Sequence, residues 1–119
     1  MLVLVVDDDP MAAEMTAAIL EDYAFQTLIA ENGIEALEIF DQNPGINLII
    51  SDMNMPLLSG IELFQELREQ GRDTPFILLS GDDPEAALTA EPALDAILLK
   101  DFSLQETLID TIRQVMDSH

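Results

Sequence analysis

Short apolar runs, rich in Val, Ile and Leu, recur along the chain, and between them lie longer segments in which apolar residues return every three or four positions. The runs are Leu2 to Val6, Phe25 to Ala30, Ile46 to Ser51, Phe76 to Ser80 and Ala96 to Lys100. Most are apolar throughout, as expected of strands in a parallel sheet covered on both faces. The second, "FQTLIA", is the most polar and predicts an edge strand.

The intervening segments predict helices. Asp9 is placed to cap the first, with Pro10 at its opening position and Met11, Met15, Ala18 and Ile19 on one apolar stripe. Asn32 opens the second, which runs through Leu37 and Phe40 to the breaker "NPG". The third follows Gly60 with Ile61, Phe64 and Leu67 inward. The fourth, in "DDPEAALTAEPALD", has room for about two turns before Pro92. The last starts at Ser103, a cap with Glu106 three residues on, and buries Leu104, Leu108, Ile112 and Val115. Alternating strands and helices at this length predict an α/β domain, an open, doubly wound five-stranded parallel sheet with helices on both faces.

At 119 residues the chain fits one domain, 1–119, and a chain of this size buries roughly two thirds of its unfolded surface. No apolar run approaches bilayer length, and "MLVLVV" lacks a basic flank and leads straight into three Asp residues, so no membrane insertion or export is expected. The absence of Cys excludes disulfides and thiolate metal sites and suits a cytoplasmic location. With 24 acidic residues against 4 basic ones the formal charge is -20, which repels phosphate backbones, so no direct nucleic-acid binding is expected.

Ligands of such sheets bind at the carboxyl ends of the strands. Those ends carry Asp7, Asp8 and Asp9 after the first strand, Asp52 after the third, Ser80, Gly81 and Asp82 after the fourth, and Lys100 after the fifth. Each has an ordinary reading: Asp caps helices, Ser before Gly makes turns, and a Lys at a strand end can lay its stem on apolar surface with its head in water. Lys100 is nevertheless the sole Lys of a strongly acidic chain. Unit charges about 4 Å apart at an effective dielectric near 20 repel by roughly 4 kcal/mol, so three clustered carboxylates call for a cation. Oxygen-only ligands suit Mg²⁺ better than Ca²⁺ or zinc. The single His, His119, is the last residue and belongs to the tail.

The segments "LVVDDDP", "LIISDMNMPLLSG", "ILLSG" and "AILLK", in that order and spacing, resemble the receiver domain of bacterial two-component response regulators over nearly the whole chain. The resemblance implies the flavodoxin-like strand order 2-1-3-4-5 known for members of this fold. It implies that Asp52 accepts a phosphoryl group from a phosphohistidine on a sensor histidine kinase or a histidine phosphotransfer protein. It further implies that Asp8, Asp52 and the backbone carbonyl of Asn54 bind Mg²⁺, that Asp7 holds a metal-bound water, and that Lys100 and Ser80 meet phosphoryl oxygens. Such a domain catalyses its own phosphoryl transfer and hydrolysis without being a turnover enzyme, and signals by binding a downstream protein target.

Two positions depart from the family pattern. Ile97 stands where an aromatic usually changes rotamer, and Asp101 where a Pro usually follows the Lys. These positions motivate an alternative, a phosphorylation-silent receiver serving only as an interaction module. A haloacid-dehalogenase-type phosphatase needs a general acid at Asn54, which cannot donate that proton. A flavin phosphate would be repelled by the three Asp residues.

Overall fold

The structure, a computed structural model, describes residues 1–81, 89, 91–101 and 103–118. The strands are β1 (Leu2–Val6), β2 (Gln26–Ala30), β3 (Leu48–Asp52), β4 (Phe76–Ser80) and β5 (Ala96–Leu99). The helices among the described residues are α1 (Pro10–Asp22), α2 (Gly33–Gln42), α3 (Gly60–Glu69) and, after β5, α4 (Leu104–Asp117). Residues 82–88 and 90, most of the expected fourth helix, lie outside the described residues, as do Asp82, Phe102 and His119.

All strand pairings are parallel and the order is β2-β1-β3-β4-β5, with the polar β2 at one edge as expected. Side chains alternate across a strand, so each strand feeds two cores. Leu4, Val6, Ile49, Phe76 and Leu78 pack with Ala36 and Phe40 of α2 and Leu63, Phe64 and Leu67 of α3. Val3, Val5, Leu48, Ile50, Ile77 and Leu79 pack with Ala13 and Leu20 of α1 and Leu108, Ile109, Ile112 and Val115 of α4. β1, β3 and β4 are buried almost throughout, but β5 forms the second edge and is only half-buried, where the sequence predicts a buried strand.

Helix ends follow from specific residues. Asp9 caps α1 by accepting the Met11 amide at 3.0 Å, and Asn32 caps α2 by accepting the Glu35 amide at 2.8 Å. At α3, Ser59 and Glu62 form a reciprocal capping box. The box expected at Ser103 and Glu106 does not form. The Ser103 hydroxyl instead donates to Asp101 Oδ1 at 2.6 Å, and its backbone is already helical.

The face of α1 also differs from expectation. Its buried residues are Ala13, Thr16, Ala17 and Leu20, whereas Met11 and Met15 are 74% and 68% exposed. Both stripes have helical periodicity, and the one with mostly small side chains is the one laid on the sheet. No helix among the described residues is long and apolar enough to cross a membrane.

Candidate functional site

Strand parity and register bring the charged strand ends together. Val3 and Val5, Leu48 and Ile50, and Ala96 and Leu98 all face the α1 and α4 side. Continuing each series by two residues reaches Asp7, Asp52 and Lys100. Val6 pairs with Ser51, so Asp7 and Asp52 follow side by side. The Lys100 ammonium donates to Asp7 Oδ2 at 3.0 Å and to Asp52 Oδ1 at 3.3 Å. Its backbone amide donates to the Ser80 carbonyl at 2.8 Å, which fixes the end of β5 against β4.

Asp7 is buried and held twice more: its amide donates to the Ala30 carbonyl at 3.0 Å, and its Oδ1 accepts the Asp9 amide at 3.0 Å. Asp8, the next residue, is exposed at the mouth. Asp7, Asp8 and Asp52 each offer a carboxylate oxygen, all within 4.8 Å of one another. Against these three carboxylates stands one ammonium, which leaves excess negative charge suited to a divalent cation. The donor set is all oxygen and partly open to water, so the residues present fit Mg²⁺. Ser80 is buried at the end of β4, and Asn54 is exposed in the loop after β3.

The electrostatics of Asp52 reflect this crowding. Burial pushes its carboxyl above its ordinary 3.8, Lys100 pulls it back, and Asp7 and Asp8 push it up again, with a net rise. For Lys100, burial opposes the charge, but the hydrogen bond it donates to Asp7 and the charges of Asp52 and Asp7 outweigh it and lift the ammonium above 10.5. It is therefore protonated at neutral pH.

The loop after Asp52 is tightly built. The Met53 carbonyl accepts the Gly60 amide at 2.9 Å, and a Cβ on Gly60 would collide with the Asp52 carbonyl oxygen. Pro56 is followed by Leu57 at φ 73°, where the Leu58 amide donates to the Pro56 carbonyl at 2.8 Å, a γ-turn. Nothing in the sequence signals this turn, because its central residue is neither Gly nor Asn.

A groove of about 780 Å³ runs from Lys100 and Asp101 between α1 and α4, lined by Ala12, Met15, Ile19 and Leu104. Ile97 is half-buried beside the α2 and α3 core, paired with Leu78, and puts an aliphatic side chain where the resemblance would place a ring. No cis peptide occurs among the described residues, so Asp101 follows Lys100 through a trans bond.

Residues 3–113 match the family model of the response regulator receiver domain. The chain is 31% identical over 118 residues to the sensor histidine kinase RcsC of Escherichia coli, covering 98% of this chain and 12% of that protein. It is 32% identical over 108 residues to the response regulator MprA of Mycobacterium sp. (strain KMS), covering 89% of this chain and 46% of that one. The chain thus spans less than half the length of these curated relatives. Its backbone superposes with a TM-score of 0.85 on the response regulator TrrA of Thermotoga maritima in complex with Mg²⁺ and BeF, at 32% identity, covering 96% of this chain and 97% of that one.

Proposed function

The chain belongs to the response regulator receiver domain family, and from that premise we propose that it takes a phosphoryl group from a protein phosphohistidine onto Asp52 and signals by the change this makes in its protein contacts. The observation that carries the reading is the Lys100 ammonium bridging Asp7 and Asp52 while Asp8 closes the same cluster. A carboxylate attacking an anionic donor needs its approach screened, and here a cation and three carboxylates already meet at the strand ends.

In this reading Asp52 Oδ attacks phosphorus, the P–N bond of the donor breaks, and the imidazole leaves with the bonding pair. Lys100 remains charged throughout and moves its hydrogen bond from Asp52 to a phosphoryl oxygen, with the Ser80 hydroxyl serving a second. Asp8, Asp52 and the Asn54 carbonyl would hold Mg²⁺, with Asp7 turned to a water on it, and the ion would supply charge compensation during the transfer. The exposed Met11 and Met15 and the apolar groove beside Lys100 support a protein donor, since flexible Met side chains adapt to a docked surface. An aliphatic Ile97 supports a switch that does not turn on an aromatic ring.

The test is intact mass after incubation with acetyl phosphate, with and without Mg²⁺, on wild type and Asp52→Asn. One Mg²⁺-dependent phosphoryl addition, absent from the variant, is expected. Failure of a folded wild type to gain a phosphoryl group from either acetyl phosphate or a panel of phosphorylated histidine phosphotransfer proteins would favour a silent interaction module.

A further inference from the structure

Gly33 opens α2 immediately after its cap Asn32. Its φ is not in the left-handed region, so the backbone there would accept any L residue, and helix propensity favours Ala. The space forbids it. A Cβ on Gly33 would lie 2.7 Å from Leu58 Cβ, 2.9 Å from Leu58 Cδ2 and 3.0 Å from the Leu58 carbonyl oxygen. The near contacts include backbone and Cβ, so a rotamer change cannot relieve them.

Leu58 lies in the loop that leaves Asp52 and carries Asn54. We infer that the Gly33–Leu58 contact is a positioning device, by which the start of α2 sets the loop 53–59 for cation binding. This rests on the proposed Mg²⁺ reading of Asp8, Asp52 and Asn54. The loop has little slack on its far side: its neck is closed by the Gly60 to Met53 hydrogen bond, and Gly60 already abuts the Asp52 backbone. Between neck and contact, Pro56 and the γ-turn at Leu57 fix the path. A push on Leu58 is therefore passed toward Asn54 and the acceptor. Leu58 itself is half-buried against the α2 and α3 core, so the contact is packed from both sides.

The experiment is titration calorimetry of Mg²⁺ into wild type, Gly33→Ala, Leu58→Ala and Gly45→Ala, at a temperature where circular dichroism shows each variant folded. A Cβ added to Gly45 would meet nothing within 4 Å, so that position serves as the control. Gly33→Ala is expected to weaken Mg²⁺ binding roughly tenfold, as loss of support behind a metal ligand commonly does. Leu58→Ala removes the packing without a clash and weakens binding in the same direction, and Gly45→Ala leaves it unchanged.

Wild-type affinity in folded Gly33→Ala and Leu58→Ala overturns the inference alone; should Gly33→Ala not fold, Leu58→Ala decides it. A wild type that binds no Mg²⁺ overturns the cation reading, and this inference with it.

Discussion

The Lys100 ammonium reaches across 93 residues of sequence to Asp7 Oδ2 at 3.0 Å, a shorter tie than its 3.3 Å contact with Asp52. The more buried carboxylate thus holds the cation, and Asp52 shares it. On the proposed reading, this leaves Asp52 the more readily released partner when a phosphoryl oxygen competes for the ammonium.

Lys100→Met should destabilise the metal-free protein by about 2 kcal/mol, less than the roughly 3 to 5 kcal/mol for removing one partner of a fully buried pair. The discount follows from exposure, since 26% of the Lys100 side chain remains open to solvent. Mg²⁺ should restore much of the loss by meeting the same carboxylates. Urea unfolding in EDTA and in excess Mg²⁺ measures both, and equal stability of the two proteins in EDTA would mean that the bridge contributes nothing.

The raised Asp52 carboxyl gives a pH dependence of definite sign. Its folded-state pKa lies above the ordinary 3.8, so between those two values the native state binds more protons than the unfolded state. Stability from this group is present at low pH and is lost as pH rises through the folded pKa. Metal-free wild type should therefore be less stable than Asp52→Asn at neutral pH, with the gap narrowing on acidification toward 3.8. A gap that is constant with pH would contradict the assignment.

Ala24 follows the C-cap Tyr23 of α1 at φ 66°, with its amide on the Glu21 carbonyl and the Phe25 amide on the Leu20 carbonyl. That is a Schellman end with Ala where Gly is usual. α3 ends the same way with Gly71 at φ 78°. Ala24→Gly should stabilise the protein by about 1 kcal/mol and Gly71→Ala should destabilise it by a similar amount. Opposite shifts of the urea midpoint are the expected signature.

Asn54→Leu should lengthen the life of the aspartyl phosphate on the proposed reading. The exposed amide, two residues after Asp52, can orient an attacking water, and an apolar side chain cannot. Decay of the phosphorylated mass over time reads this directly, and an unchanged rate discards the role.

Much of this was legible in the residues, for physical reasons. Buried parallel strands are continuous apolar runs, and β1 and β4 fall where those runs do. β3 begins later than its run because Ile46, though buried, belongs to the preceding turn, its amide bound to the Asn43 carbonyl at 3.1 Å. The charged strand ends were legible as a cluster once the strands were placed. The buried face of α1 was not, since two stripes share the helical period and packing against the sheet chooses between them. Capping shows the same limit. "SGIE" and "SLQE" spell the same box, yet only Ser59 and Glu62 form it, because Asp101 takes the Ser103 hydroxyl. Ala24 and Leu57 adopt left-handed backbones with no Gly or Asn to announce them.

Because Asp7, Asp52 and Lys100 each continue the inward series of a strand, their chemistry depends on counting as much as on identity. Deleting one residue from β1 would slide Asp8 into the place of Asp7 and still present a carboxylate. Inserting one would present Val6. β3 and β5 have no such reserve, since the residue after Asp52 is Met53 and the residue after Lys100 is Asp101. The crevice is therefore buffered against one kind of length error at one strand and exposed to every other, which makes a single-residue indel in β3 or β5 a sharper disruption than most substitutions within them.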